Sequence, residues 1–215
     1  MSDTRHIHHT HPDLHRLAAA LEARPGVRAV VREEDAPPPR RAAVALVLRA
    51  SPSEGSQLRG GRGALELLLI RRAEYESDPW SGHVALPGGR QEPGDASLEE
   101  TAVRETREEL ALDLARDGVL LGTLDEIYPR TPVLPPIVVR PYVFATEGDA
   151  PLHPSHEVAA AFWVPVSQLT DPASTCDTTV MVRGEARSVT SFRHGEHVIW
   201  GLTERILRQF LALLP

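Results

Sequence analysis

The segment from Ser97 to Leu112 constrains this chain more than any other. It carries the strongest helical pattern in the sequence, and Asp95 or Ser97 stands where a helix start is capped. On a helical wheel of about 100° per residue, Glu105, Glu108 and Glu109 fall within an arc of roughly 100°. Val103, Thr106 and Leu110 fall on another face, suited to packing against a sheet. The helix therefore has a packed side and a tri-carboxylate side.

Three carboxylates so close repel one another and raise each other's pKa unless a cation intervenes. Oxygen ligands of this kind suit Mg²⁺ or Mn²⁺ rather than Zn²⁺. Arg104 lies four residues before Glu108 and can orient its carboxylate along the helix. A Glu-rich helix alone is usually a solvated face. Here a short strand, Val84 to Leu86, runs into Pro87-Gly88-Gly89 just ahead of it. Glycines at that bend let backbone groups approach a ligand closely.

The remaining pattern places this helix in a mixed architecture. Asp13 to Ala23 has Leu14, Leu17, Ala18 and Leu21 at helical spacing, and Pro25-Gly26 ends it. Ala42 to Leu48 and Leu65 to Ile70 read as buried strands of a hairpin, with a Gly/Ser-rich tip at 51–63. Val119 to Ile127, Ile137 to Ala145 and Glu157 to Val164 read as further strands, with a Pro-rich loop at 129–136. Val166 to Leu169 is a helical turn and Asp171 to Thr179 a loop. Thr179 to Ser191 is a hairpin around Gly184, and His197 to Trp200 a short strand. Thr203 to Leu214 closes as an amphipathic helix. The elements do not alternate as regular βαβ units, so the expectation is α/β of the α+β kind, a mixed sheet between helices. Residues 1–35 read as an N-terminal arm with a short helix, and 36–215 as the main domain.

Composition narrows the function. The chain has 215 residues, with 30 acidic against 23 basic residues and a formal charge of −7. Such a balance argues against general nucleic-acid or anionic-membrane binding, but not against a small phosphorylated substrate. Cys176 is the only cysteine, which makes a reducing, cytoplasmic setting the expectation. No apolar run has the length of a membrane helix, and no signal-peptide pattern opens the chain. His6, His8, His9, His11 and His15 match no defined metal spacing and read as a solvated arm. The sequence leaves the oligomeric state open, a homodimer included.

Gly89 followed by Arg104-Glu105-Thr106-Arg107-Glu108-Glu109-Leu110-Ala111-Leu112 resembles the Nudix box. The resemblance implies an α/β/α sandwich with the box as loop–helix–loop, and Mg²⁺-dependent hydrolysis of a nucleoside diphosphate linked to another group. It makes Glu105, Glu108 and Glu109 metal ligands, with the Gly89 carbonyl assisting and Gly88 and Arg104 structural. The box is one residue longer than the common form between Gly89 and Arg104, so its first acidic position falls on Asp95 or Ala96. Asp95 or Glu92 could take that role. Ala111 stands where the box has Gly, losing the residue best suited to a left-handed helix end but no chemistry. Thr106 replaces an apolar residue.

The stretched box resembles that of the coenzyme A diphosphatase subgroup, as do Leu68-Leu69-Ile70-Arg71-Arg72, Ser81 to Gly89 and Trp200-Gly201-Leu202-Thr203. Coenzyme A or its acyl derivatives, cut to 3′,5′-ADP and 4′-phosphopantetheine, is then the expected substrate. ADP-ribose, NADH or another nucleoside diphosphate derivative is the alternative. A non-catalytic Nudix-like module is disfavoured because all three box glutamates are present. Glu108 or Glu157 could serve as general base, with a structural role for Glu157 equally open. Arg71, Arg72 and Arg90 are candidate phosphate partners, set against plain surface charge. Trp80 and His83 are weighed as substrate contacts against packing.

Overall fold

The computed structural model describes residues 11–32, 38–51, 64–75, 80–129, 136–147, 151–182 and 184–214. The expected loop tip at 52–63, the first three N-terminal histidines and most of the Pro-rich loop, 130–135, lie outside them.

Two almost continuously apolar strands, β1 (Arg40–Ala50) and β6 (Ile137–Thr146), run parallel at the centre of the main sheet. An uninterrupted apolar run is what burial on both faces demands. Outward from β1 lie β2 (Leu65–Arg72) and β7 (Val158–Pro165), and outward from β6 lies β5 (Gly118–Thr123), all antiparallel to their neighbours.

The join between β1 and β2 creates the site. They pair only at Leu48–Leu67, Arg49–Glu66 and Ala50–Leu65, and then separate. The gap is filled by β3 (Val84–Ala85), which pairs with β2, and β4 (Gly88–Arg90), which pairs with β1. The Pro87-Gly88-Gly89 bend is thereby wedged into the middle of the sheet. Gly88 has φ 148°, and a Cβ there would collide with the carbonyl oxygen of Ala43. Only glycine fits that approach.

Alternation along the strands sends side chains to two helical layers. On one face Leu46, Leu48, Leu67, Leu69 and Val143 meet α1 (Pro12–Ala23), through Leu14, Leu17 and Leu21, and α5 (Gly201–Leu211), through Ile206, Leu207 and Phe210. On the other face Ala43, Ala45, Val47, Leu68 and Ile70 meet α2 (Leu98–Leu110), through Ala102 and Leu110. The α/β/α sandwich expected from the sequence is the observed fold. Helix α1 shares the main core. The chain after it is pinned by Arg24 to Asp125 (3.0 Å) and by Ala29 N–H to Glu126 (2.9 Å).

Some boundaries differ from the sequence reading. The strand expected over Val119 to Ile127 stops at Thr123, where Asp125 and Glu126 turn to hold the N-terminal segment; Ile127 keeps one bridge to Val139. A short helix α3 (Leu114–Asp117), capped by Asp113, follows α2. The stretch read as a loop, Asp171 to Thr179, becomes a 3₁₀ turn and then β8 (Thr175–Val182). Its alternating exposure is that of a strand whose β-branched residues pair with β9 (Glu185–His194). With β10 (His197–Trp200) these form a separate antiparallel sheet. The helical turn α4 (Val166–Thr170) is as expected.

Candidate active site

Helix α2 begins as the sequence suggests. Ser97 is its N-cap and accepts a hydrogen bond from Glu100 N–H at 3.1 Å. Asp95 is thereby freed for another task. Its carboxylate takes two hydrogen bonds from Arg104, both 2.9 Å, and others from Thr101 Oγ1 (2.9 Å) and Glu92 N–H (2.9 Å). The Arg104 guanidinium beside it holds the Asp95 carboxyl well below the usual carboxylate range. Of the two acids proposed for the displaced box position, Asp95 makes the ion pair with Arg104. Glu92 lies at the cleft wall.

Arg104 was expected to orient Glu108, and it does so at 3.0 Å. The same Nη1 also lies 3.0 Å from Glu105, and Nη2 donates to the Arg90 carbonyl at 3.0 Å. One guanidinium thus ties the loop to two of the three glutamates, a use of the planar fork that lysine could not match.

Glu105 lies against Gly89, where any Cβ would collide with its carboxylate. Burial raises its pKa; Arg104 opposes this, and the charges of Glu108 and Glu157 add to it. Glu109 is the most enclosed of the three, 3 % exposed. It accepts a hydrogen bond from Gly88 N–H at 2.9 Å and has Arg72 at 3.8 Å. Burial nevertheless pushes its carboxyl up to about 8, with the charges of Glu105 and Glu157 contributing. Glu108 is half exposed.

The C-terminal end of α2 connects these groups to the opposite wall. Ala111 closes the helix at φ 56°, ψ 18°, the only non-glycine residue with positive φ among those described. The left-handed position of the Nudix-like box is therefore kept although its glycine is not. The free carbonyls of Glu109 and Leu110 accept from Ser155 N–H (2.8 Å) and His153 N–H (2.9 Å). Those bonds satisfy groups that every helix end leaves open. They also fix the 153–157 turn over the carboxylates.

The result is a cleft of about 400 Å³ lined by Glu92, Arg104, Glu105, Glu108, Glu109, Ser155, His156 and Glu157. All four glutamates proposed from the sequence are brought together. Arg71, Arg72 and Arg90 are absent from its described lining. Arg72 faces Glu109, Arg71 pairs across β2 with Val84 and Ala160, and Arg90 offers its carbonyl to Arg104. His83 packs its ring against Trp200 at 4.7 Å. His156, which the sequence reading did not single out, lies in the lining. Its place directly before Glu157 was the available signal.

The donors are all carboxylate oxygens and suit a hard divalent cation. Among the described residues no three acidic, His or Cys side chains converge enough to enclose an ion as they stand. Glu105 and Glu108 both turn to Arg104, and Glu109 to the Gly88 amide. Arg104 is anchored independently by Asp95 and the Arg90 carbonyl, so it can release either glutamate without losing its place.

The chain is similar in sequence and fold to known proteins. The NUDIX domain family model matches residues 38–181. The human protein named mitochondrial coenzyme A diphosphatase NUDT8 is 33 % identical over 178 residues, covering 78 % of this chain and 72 % of that one. A Nudix hydrolase NudL from Photorhabdus laumondii is 34 % identical over 143 residues, covering 66 % and 74 %. Among solved structures, a MutT/nudix family protein from Enterococcus faecalis shares the fold with a TM-score of 0.53 at 17 % identity, covering 99 % of this chain and 74 % of that one.

Proposed function

The chain belongs to the Nudix family and is a hydrolase of diphosphate linkages in nucleoside diphosphate derivatives; from that premise we propose that it uses Mg²⁺ or Mn²⁺ to cut coenzyme A or an acyl derivative into 3′,5′-ADP and 4′-phosphopantetheine. The observation that carries this reading is the gathering of Glu105, Glu108, Glu109 and Glu157 around one cleft. The substrate choice is supported by the stretched box and by the relative named a coenzyme A diphosphatase. A reducing compartment suits the lone Cys176, and the cytoplasm is the proposed setting. Among the described residues no helix is long and apolar enough to cross a membrane.

Glu105, Glu108 and Glu109 would hold the cation, with the Gly89 carbonyl completing the set. A divalent ion there supplies charge neutralisation on the diphosphate and polarises the phosphorus–oxygen bond under attack. Arg104, held by Asp95, keeps Glu105 and Glu108 on the cleft side of α2. The proton of the attacking water goes to a carboxylate. We assign that role to Glu157 over Glu108. Glu108 is committed to Arg104 at 3.0 Å. Glu157 has His156 at 4.0 Å and lies within range of the like charges of Glu105 and Glu109. It faces α2 from a turn that α2 itself fixes.

The test is incubation with Mg²⁺ or Mn²⁺ and coenzyme A, alongside ADP-ribose, NADH and dinucleoside polyphosphates, with products identified by mass. The expected products are 3′,5′-ADP and 4′-phosphopantetheine. Cleavage of ADP-ribose alone would replace the substrate and keep the chemistry. Tight ligand binding without cleavage of any compound would contradict the proposal.

A further inference from the structure

The cleft presents a charge problem that the carboxylates cannot solve. A diphosphate arrives with negative oxygens, and five of the described lining residues, Glu92, Glu105, Glu108, Glu109 and Glu157, are acidic. A cation on α2 offsets part of that charge from one side. The remaining described lining residues are Arg104, Ser155 and His156. The Arg104 guanidinium is occupied by Asp95, Glu105, Glu108 and the Arg90 carbonyl. The Ser155 hydroxyl takes the Glu157 amide hydrogen at 3.3 Å. His156 differs from both. Its side chain is 83 % exposed, and its nearest charged neighbour, Glu157, is 4.0 Å away, too far for a hydrogen bond.

The main chain beneath His156 is held on every side. Ser155 N–H donates to Glu109 O at 2.8 Å and His153 N–H to Leu110 O at 2.9 Å. Tyr75 Oη donates to the His156 carbonyl at 3.1 Å. Ala73 N–H donates to the Glu157 carbonyl at 2.8 Å, and Val158 N–H to Ser155 O at 3.1 Å. A fixed backbone bearing an uncommitted donor is the economical way to meet a ligand, because little further ordering is needed on binding.

We infer that His156 contacts the substrate directly, donating a hydrogen bond from its imidazole to a diphosphate oxygen on the side of the cleft facing α2. The ligand class is a diphosphate carried with its divalent cation. The inference rests on the functional reading above. It assigns the substrate-facing donor to the 153–157 turn rather than to Arg71, Arg72 or Arg90, none of which lines the described cleft.

Titration calorimetry with Mg²⁺ and inorganic pyrophosphate tests this for the wild type, His156→Ala and His156→Gln. The exposure of the side chain means that neither substitution disturbs the core. His156→Ala should weaken pyrophosphate binding about tenfold or more, the loss of one hydrogen bond to a charged group. Mn²⁺ alone should bind all three proteins within about twofold, a difference too small to represent a lost ligand. His156→Gln, which keeps an N–H donor, should recover most of the affinity. Wild-type pyrophosphate affinity in His156→Ala would overturn the inference, as would His156→Gln binding as weakly as the alanine variant. A matching loss of Mn²⁺ binding would also overturn it, by making His156 part of the ion site. Failure of the wild type to cleave any diphosphate would defeat the functional reading alone; the pyrophosphate titration still decides the role of His156.

Discussion

The two faces of the central sheet are built on opposite terms. On the α1 and α5 face, leucines and Phe210 close a core in which Leu14, Leu17, Leu207 and Phe210 are almost fully buried. On the α2 face the alanines Ala43, Ala45 and Ala102 sit among larger residues such as Leu110 and Phe144. That face also encloses Glu109 and most of Glu105. Burying a carboxylate beside other carboxylates opposes folding. The apolar face supplies stability with no such conflict. The α2 face carries an electrostatic cost that makes sense only if something binds there.

Five substitutions sharpen that contrast. The largest effect belongs to the cleft. Glu157→Gln should lower kcat by about 10²–10⁴-fold, the usual contribution of a general base, with the melting temperature held. Steady-state kinetics over a Mg²⁺ series would distinguish it from Glu108→Gln, which should also demand more Mg²⁺ for half-maximal rate. Equal Mg²⁺ requirements in the two variants would erase the division of roles.

On the opposite face, Leu17→Ala should cost about 2–5 kcal/mol in urea unfolding, because its cavity cannot easily collapse. Turnover per folded molecule should stay at the wild-type level. A drop in kcat there would mean that the faces are not separable.

Glu109→Gln reverses the usual pattern. Its carboxyl titrates near 8 in the fold, against a reference value of 4.5. A folded pKa raised above the unfolded one gives stability that is complete below about 4.5 and declines as pH rises toward about 8. Metal-free wild type should therefore lose, through this group, on the order of a few kcal/mol across that window. The glutamine variant keeps an acceptor for Gly88 N–H and should lack that loss. It should be more stable than wild type in metal-free urea titrations at pH 8, and nearly inactive. Identical pH–stability curves would remove the claim of a buried, function-driven cost.

The smallest effect tests the helix end. Ala111 is exposed and held in the left-handed region. Ala111→Gly should gain about 0.5–1 kcal/mol, relief of the Cβ conflict less the extra freedom of unfolded glycine. Chemical denaturation resolves a gain of that size, and a loss would show that the alanine methyl has a packing role.

The helix and its three glutamates were legible in the sequence because their relation is local: one 3.6-residue period places them. The long strands were equally readable from unbroken apolar runs. The split between β1 and β2 was not, since β3 and β4 are very short and their pairing is set by distant partners. The first part of β8, up to Thr179, was taken for a loop because half of the strand's residues face solvent and its register comes from β9. The displaced acidic position was left between Asp95 and Glu92; with Ser97 taking the cap, Asp95 is the one that pairs with Arg104. The arginines were chosen for chemistry alone, whereas strand direction decides what they reach: β2 points Arg72 at Glu109 and leaves both it and Arg71 out of the described cleft lining. His156 gave no periodic signal, and only the turn fixed by α2 brings it over the carboxylates.

We propose that α2 and the 153–157 turn form a single cation-dependent centre for diphosphate hydrolysis. Measuring Mn²⁺ binding and coenzyme A turnover together, in the wild type and in a Glu105→Gln, Glu108→Gln, Glu109→Gln triple variant, tests it most directly. The account predicts that binding and turnover vanish together while the variant stays folded by circular dichroism. A folded triple variant that still binds Mn²⁺ and still turns over coenzyme A would contradict it.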